Sequence, residues 1–169
     1  MRRRLAIRPA TESDIEAISR IASSAWRNTY RGLISDDAID GTVSRWYSTE
    51  ALRQRIKGHP VHVVEDAGAV VGYVQHGPLT ETVHEVFAIY VAPSMLGFGI
   101  GWVLWQAVMR EAASAGKQAV ELWVLEGNRL GMDWYDRQGG MIIGRQEVQL
   151  ADGLHGELRY RFRVTAPPE

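Results

Sequence analysis

Apolar residues recur at helical spacing in the first part of the chain. A short strand is predicted over residues 5–9, and a helix is predicted to begin after residues 11–14 and to end near Tyr30. One face of this helix carries five apolar residues, namely Ile15, Ile18, Ile21, Ala22 and Ala25. Further helical segments are predicted after Gly32 and over residues 48–56. The amino-terminal third is therefore predicted to be mostly helical.

The middle of the chain shows the patterns of strands. Residues 61–65 and 70–75 predict a β-hairpin with Gly68 in its turn. A loop through residues 77–78 separates this hairpin from a nearly continuous apolar run at residues 85–91. Such a run is typical of a strand that is covered on both faces, so a central strand is predicted here.

A helix and a strand follow the central strand. Apolar residues favour one side of a helix over residues 100–115, which Gly116 ends, and residues 119–125 form the next strand. With the strand at 85–91 they predict one right-handed βαβ unit. The remaining elements are a short helix and two strands, at residues 128–137, 141–150 and 155–164. This order predicts an α/β fold with a sheet of mixed direction.

Composition narrows the class of protein. The chain has 169 residues, of which 46% are hydrophobic and 23% charged, so one domain spanning residues 1–169 is expected. A net charge of -1 gives no electrostatic reason for nucleic-acid binding. There is no cysteine, and no apolar stretch has the length of a bilayer span or a signal peptide. We therefore expect a cytoplasmic protein with no membrane partner.

The segment VAPSMLGFGIG places Gly97, Gly99 and Gly101 where the predicted helix begins. Backbone N–H groups at such a turn, together with the helix dipole, favour a phosphate group. A nucleoside-triphosphate loop requires lysine after its last glycine, but Trp102 stands there. The dinucleotide fingerprint would need glycine at Trp102 or Leu104 and a different strand order. The favoured interpretation is a turn that binds a single pyrophosphate.

Three segments resemble those of a known superfamily. EVFAIYVAPSMLGFGIGWVL, residues 85–104, resembles the acyl-CoA-binding segment of the GNAT superfamily of N-acyltransferases. NRLGMDWYDRQGG, residues 128–140, resembles its second segment, in which an asparagine and a tyrosine flank the thioester. AWRNTYRGLI, residues 25–34, is similar to bacterial members that acetylate polyamines and other small amines. The resemblance implies an acetyl-CoA-dependent N-acetyltransferase with a GNAT-like sheet of about seven mostly antiparallel strands, flanked by helices.

The resemblance also implies where acetyl-CoA binds. Its pantetheine would lie along the central strand and pair with backbone groups of Ile89 and Val91, while its phosphates would contact the glycine turn. The implied cofactor-binding residues are Ile89, Tyr90, Val91, Gly97, Phe98, Gly99, Ile100, Gly101, Trp102 and Asn128. The implied acceptor is a primary amine of a small molecule or peptide.

Catalytic roles are implied for two residues. Tyr135 matches the general acid that protonates the leaving thiolate, and Glu85 matches the base that takes the amine proton through water. Tyr135 also fits plain packing of its helix, and Glu85 fits a solvated strand end. Asn128 is expected to bind a pantetheine amide, to cap the helix it begins, or both. Trp26 and Tyr30 are predicted to line the acceptor cleft, with ordinary core contacts as the alternative.

Three positions depart from the superfamily's pattern. Leu96 stands where arginine or glutamine is usual, Phe98 where lysine is common, and Gly140 where an aromatic residue commonly follows. Less side-chain charge is then available to the phosphates, so we expect weaker acetyl-CoA binding than in relatives with arginine. A non-catalytic acyl-CoA-binding sensor with the same fold is the alternative function.

Two further expectations concern metals and assembly. No pair of histidines has a persuasive ligand spacing on one helix, so we expect no metal site. The histidines are His59, His62, His76, His84 and His155. The last strands often support dimers in the superfamily, which predicts a homodimer. The identity of the acceptor stays open, because its site is formed by loops whose shape the sequence does not define.

Overall fold

A seven-stranded sheet runs through the centre of the fold. The computed structural model describes residues 3–165. The strands are β1 (Leu5–Pro9), β2 (Val61–Asp66), β3 (Ala69–Pro78), β4 (Val83–Val91), β5 (Ala119–Leu125), β6 (Met141–Leu150) and β7 (Gly153–Arg163). Their order is β1-β2-β3-β4-β5-β7-β6, and only β4 and β5 pair in parallel. The predicted α/β fold, with a mostly antiparallel sheet and one parallel pair, is confirmed.

Helices flank the sheet. In the described part of the chain they are α1 (Ile15–Tyr30), α2 (Asp36–Tyr47), α3 (Thr49–Gly58), α4 (Ile100–Ser114) and α5 (Arg129–Arg137). Ser35 and Ser48 cap α2 and α3 by accepting hydrogen bonds from the N–H groups of Ala38 and Ala51. Among residues 3–165, no helix combines the length and the apolar character that crossing a membrane requires.

The helices divide between the two faces of the sheet, and the core divides with them. One buried cluster joins α1, α2 and α3 to the sheet, and a second joins α4 and α5 to the opposite face. Neighbouring residues of β2 show the alternation, because Val63 belongs to the first cluster and Val64 to the second. The central strand β4 is therefore covered on both faces, as its apolar run predicted.

Some predicted boundaries were wrong. β3 continues through Gly77 to Pro78, where a loop was predicted, because its pairing with β4 extends to the Pro78–His84 pair. Similarly, α2 begins at Asp36 rather than directly after Gly32. The chain first makes a turn in which the N–H of Ile34 donates to the carbonyl oxygen of Tyr30. In both places contacts made by the fold decide the boundary, and the local turn residues do not.

Two local features set the position of β4 and α4. A Cβ atom on Gly72 of β3 would lie 2.8 Å from Cγ2 of Ile100, so glycine lets the first turn of α4 approach the sheet closely. In β4, Val86 pairs with His76 and Ala88 pairs with Gln75, which leaves Phe87 as the extra residue of a β-bulge. The strand bends at Phe87, next to the site described below.

Candidate active site

The parallel strands β4 and β5 separate part-way along their length. Their pairing runs from the Val83–Ala119 pair to the Val86–Leu122 pair and then stops. Both strands continue, β4 to Val91 and β5 to Leu125. The two strands therefore splay apart, and within the described part of the chain one edge of the second half of β4 has no neighbouring strand.

The hydrogen-bond pattern tells which backbone groups face this opening. The N–H of Ala92, directly after β4, donates over 2.9 Å to the carbonyl oxygen of Val71, the residue opposite it on β3. Bonded and non-bonded pairs alternate along an antiparallel ladder, so Tyr90 also bonds toward β3. The backbone N–H and C=O groups of Ile89 and Val91 then point the opposite way, into the opening between the strands.

A cavity of about 520 Å³ occupies the opening. Its walls come from β4, β5, α1, α2, α5, the glycine turn and the last two strands. It brings together most of the residues that the sequence predicted for the site: Trp26, Tyr30, Ile89, Tyr90, Val91, Gly97, Gly99, Ile100, Gly101, Trp102, Asn128 and Tyr135. The side chains of Glu85 and Phe98, also predicted, are not part of the cavity wall.

The glycine turn forms one end of this cavity. Gly97 and Gly99 have φ angles of 82° and 81°, which is left-handed backbone that L side chains rarely adopt. Gly99 is the amino-terminal cap of α4, and the first bond of the helix runs from the N–H of Val103 to its carbonyl oxygen. The N–H groups of Ile100 and Gly101 precede that bond and are available to an anion.

Three large apolar side chains of this turn are exposed. Leu96, Phe98 and Trp102 are 41%, 50% and 50% exposed. The guanidinium group of Arg3 lies 4.3 Å from the centre of the Phe98 ring. The same guanidinium group also forms an ion pair with Asp66, so the positive charge that Arg3 brings close to the turn is already paired.

Tyr135 lies on α5 at the wall of the cavity. Its ring packs against Trp134, Tyr160 and Phe162, with ring centres 5.6, 5.6 and 6.0 Å apart. Among the described residues its hydroxyl makes no hydrogen bond. Burial, with a smaller contribution from Tyr160, raises the pKa of Tyr135 above its ordinary value. The phenol therefore keeps its proton at neutral pH and can donate it.

Asn128 performs the capping role that the sequence gave as one of its alternatives. Its Oδ1 accepts a hydrogen bond of 2.9 Å from the N–H of Gly131, in the first turn of α5. Its Nδ2 donates to the hydroxyl of Tyr30 over 3.2 Å. One side chain thus fixes the start of α5 and links it to the end of α1.

Aromatic side chains form the other end of the cavity, here called the aromatic end: Trp26, Tyr30, Trp46, Tyr47 and Tyr90. Nε1 of Trp26 donates to the hydroxyl of Tyr90 over 2.9 Å, and the hydroxyls of Tyr47 and Tyr90 lie 3.1 Å apart. Trp26 and Tyr30 are only 2% and 5% exposed, so they belong to the core as well as to the cavity wall. The core contacts are therefore observed, and the role of these two residues in an acceptor cleft stays a prediction.

Glu85 lies in a charged cluster on the same face of the sheet as the aromatic end. Its Oε1 is 3.7 Å from Nη1 of Arg159, which also binds Glu121, and Glu121 binds Arg161 in turn. Burial raises the pKa of Glu85, while Arg159 opposes the shift and Glu121 adds to it. The carboxyl group is therefore half-buried and easier to protonate than an exposed glutamate.

Comparison with known proteins assigns the family. The model of the acetyltransferase (GNAT) family matches residues 16–140, which include α1, the glycine turn and α5. This chain belongs to the GNAT acetyltransferase family. The predicted family membership is confirmed.

Two sequence relatives and one solved structure illustrate the similarity. The chain is 29% identical over 147 residues to the L-methionine sulfoximine/L-methionine sulfone acetyltransferase of Pseudomonas aeruginosa, covering 82% of this chain and 81% of that protein. It is 26% identical over 148 residues to the L-amino acid N-acyltransferase MnaT of Escherichia coli, covering 83% and 82%. The crystal structure of the PaiA N-acetyltransferase of Thermoplasma acidophilum, in complex with coenzyme A, matches with a TM-score of 0.81 at 19% identity. That match covers 94% of this chain and 99% of the other, and it shows the fold.

Side-chain packing in this chain explains one of the departures noted in the sequence. A Cβ atom on Gly140 would lie 2.6 Å from Cε1 of Phe162 and 2.8 Å from Cδ1 of Tyr160. The rings of these two β7 residues therefore fill the space beside position 140, and glycine is required there. No comparable contact constrains Gly101, which has open space where a Cβ would stand.

Two charged residues of this GNAT site were missed by sequence reasoning. Arg137, at the end of α5, and Glu157, on β7, both line the cavity. The amide of Gln146 donates to the carboxylate of Glu157. Burial raises the pKa of the Tyr30 phenol, and the nearby Glu157 adds a smaller contribution. Arg137 lies within the segment that resembles the family, but Glu157 had no signal, because only the strand pairing brings β7 to the cavity.

Proposed function

We propose that this GNAT protein transfers the acetyl group of acetyl-CoA to a primary amine of a small molecule or peptide, by direct attack in a ternary complex. One observation carries the proposal. The opening between β4 and β5 joins the glycine turn, the unpaired edge of β4 and Tyr135 in a single cavity. A pyrophosphate, an extended pantetheine arm and a thioester would then each meet a chemically suitable partner.

The cofactor would bind mainly through backbone groups. The pantetheine would extend the sheet at the free edge of β4, pairing with Ile89 and Val91 as an added strand does. The pyrophosphate would accept hydrogen bonds from the N–H groups at the start of α4. Arg137, which lines the cavity, would add one charge-assisted contact and so partly compensate for the absence of arginine at Leu96.

The chemistry assigns a role to each polar group near the thioester. A backbone N–H of the free β4 edge would polarise the acetyl carbonyl and stabilise the negative charge of the tetrahedral intermediate. When that intermediate collapses, Tyr135 would protonate the leaving thiolate. The carboxyl group of Glu85 lies on the same face of the sheet as the aromatic end, but outside the cavity wall. Glu85 would therefore take the amine proton through a water molecule.

The acceptor would occupy the aromatic end of the cavity. Glu157 is the acidic residue of the cavity wall, and its carboxylate suits the positive charge of an amine before deprotonation. The two sequence relatives act on L-methionine derivatives and L-amino acids according to their names. We therefore place amino acids beside polyamines and small peptides in the panel of acceptors to be tested.

The test combines cofactor binding with thiol release. Wild type should bind acetyl-CoA saturably and release coenzyme A in the presence of one class of amine. Tyr135→Phe should lower kcat by about 100-fold or more, with the dissociation constant of acetyl-CoA nearly unchanged. Tyr160→Phe is the matched control, because the Tyr160 hydroxyl bonds to Asp136 and does not line the cavity. Binding without release for every amine would favour the non-catalytic sensor instead.

The predicted homodimer stays a proposal, and the position of β6 supports it. β6 is an edge strand, and Met141, Ile142 and Ile143 on it are exposed. A second copy that covered these side chains would remove apolar surface from water. Light scattering coupled to size-exclusion chromatography tests this, and a monomeric mass at micromolar concentration would contradict it.

A further inference from the structure

A cluster of histidines lies under α4, on the face of the sheet that carries this helix. Nδ1 of His62 on β2 lies 3.0 Å from Nε2 of His76 on β3. Nδ1 of His76 lies 2.8 Å from Nε2 of His84 on β4. Glu111 of α4 completes the group, with Oε2 3.8 Å from Nε2 of His76. None of the four lines the cavity described above.

Three of these side chains have the geometry of metal ligands. One ligand atom each from His62, His76 and Glu111 lies within 4.8 Å of the other two, the one such group among residues 3–165. Zinc–nitrogen bonds of about 2.0–2.1 Å in a tetrahedral site place neighbouring ligands about 3.3 Å apart. Two of the observed separations, 3.0 and 3.8 Å, lie on either side of that distance, and the third, between His62 and Glu111, is no more than 4.8 Å.

We propose that Nδ1 of His62, Nε2 of His76 and the carboxylate of Glu111 bind a divalent transition metal of the zinc class. Water would complete the coordination from the solvent side. His84 would act in the second shell of the metal. Its Nε2 lies 2.8 Å from Nδ1 of His76 and would accept the Nδ1–H of that ring, which would leave the Nε2 lone pair of His76 free for the metal.

Burial and charge fit this assignment. His76 is fully buried. His62 and Glu111 are only partly buried and give the ion a path from solvent. The carboxylate of Glu111 offsets part of the positive charge of the ion.

One unpaired atom indicates that the histidine cluster by itself lowers the stability of the fold. Nδ1 of His84 is buried and has no hydrogen-bond partner among residues 3–165. Buried polar atoms are nearly always paired, and an exception calls for an explanation such as an ion or water bound nearby. Metal bonds at the other end of the histidine chain would offset this cost, since coordination free energy adds directly to folding free energy.

The site would act on the scaffold and not on the acyl transfer. Glu111 lies eleven residues after Ile100, which corresponds to about 16 Å along α4 from the glycine turn. A metal would tie the second half of α4 to β2 and β3. The proposed site departs from the expectation of no metal. That expectation considered only the spacing of histidines within one helix, whereas these ligands come from neighbouring strands and a helix.

The experiment uses untagged, chelator-treated protein titrated with ZnCl₂ by isothermal calorimetry. Wild type is expected to bind one equivalent, and zinc is expected to raise its melting temperature. His62→Gln and Glu111→Gln should each weaken binding by about tenfold or more. His59→Gln is the matched control, because His59 packs on Phe87 away from the cluster and its loss should leave the affinity unchanged.

Replacing Zn²⁺ by Co²⁺ supplies a second readout. A site with imidazole and carboxylate ligands should give the visible absorption of low-symmetry cobalt, and Glu111→Gln should alter it. Glu111 is partly exposed, so this variant is expected to keep the fold, as circular dichroism would verify. Absence of stoichiometric binding by wild type, or unchanged affinity in both His62→Gln and Glu111→Gln, overturns the proposal. Neither readout depends on acetyl transfer.

Discussion

The two ends of the cavity present different kinds of chemical group. At the glycine turn, the groups that face the cavity are N–H groups at the start of α4 and the free edge of β4. At the aromatic end they are side chains, contributed by α1, α2 and β4. The first end comes from one stretch of sequence, and the second requires three separate elements.

This difference determines which kind of ligand each end can recognise. Backbone donors present the same groups whatever side chains surround them, so the glycine end suits a constant ligand such as a cofactor phosphate. Side chains can be exchanged singly, so the aromatic end suits a ligand that differs between relatives. Substitutions at the two ends should therefore affect different kinetic constants, and the following variants test that separation.

The largest effect is expected for Glu85→Gln. Without a base the amine keeps its proton, so kcat/KM should fall by about 100-fold while acetyl-CoA affinity stays nearly constant. The sign of the pH dependence follows from burial, which raises the pKa of Glu85. Only the ionised carboxylate accepts a proton, so wild-type kcat/KM should fall as pH decreases through a value above that of ordinary glutamate. The variant should lack this acidic limb in a pH–rate profile.

Glu157→Gln provides the comparison with an acidic residue that does line the cavity. Because its carboxylate is proposed to bind the acceptor, this variant should raise KM for the amine and retain the acidic limb. If Glu157→Gln removes the limb and Glu85→Gln does not, the roles of the two carboxylates are the reverse of those proposed.

At the glycine end, the sharpest test is Gly101→Ala. Position 101 has helical backbone with open space around a Cβ, so alanine should stabilise the fold by about 0.5–1 kcal/mol. The same methyl group would lie where the pyrophosphate is proposed to bind, and acetyl-CoA affinity should fall about tenfold. Acceptor KM should change little.

Gly41→Ala is the matched control for this substitution. Gly41 also lies within a helix, α2, with nothing within 4 Å of a Cβ, and it does not line the cavity. Alanine there should raise the melting temperature and leave acetyl-CoA affinity unchanged. Equal affinities for Gly101→Ala and Gly41→Ala would show that the cofactor does not approach the start of α4.

The same difference explains how far the sequence alone could lead. Residues 85–104 predicted a strand, a turn and a helix, and the structure places them as β4, the glycine turn and α4. Hydrophobic periodicity and glycine spacing are local signals, which a single segment carries completely. The seven strands and the parallel βαβ unit were predictable for this reason.

The remaining features depend on contacts between distant segments. Glu157 reaches the cavity only because β7 pairs with β5, opposite Leu125. In the same way, His62, His76 and His84 meet because β2, β3 and β4 are neighbours in the sheet. Strand register decides which side chains share a face, and the spacing of residues along the chain does not reveal that register.

A smaller effect is expected for Asn128→Asp, which probes the junction between the two ends. Aspartate accepts the hydrogen bond from Gly131 as asparagine does, so the cap of α5 and the stability should be retained. The donor to the Tyr30 hydroxyl is lost, so acceptor KM should rise about threefold. Asn128→Ala removes the cap as well and should also cost about 1 kcal/mol of stability. A change confined to acetyl-CoA affinity would instead assign Asn128 to the cofactor.

The smallest effect is expected for Leu96→Arg, at the exposed part of the glycine turn. Leu96 is 41% exposed and lines the cavity, so arginine can extend toward the proposed phosphate position without entering the core. An exposed charge contact is weak, so acetyl-CoA affinity should increase only about threefold. The gain should shrink as salt rises from low to physiological concentration, because exposed charges are screened. Leu96→Gln is the uncharged control, and a gain of the same size in both variants would mean that shape, and not charge, limits cofactor binding at this turn.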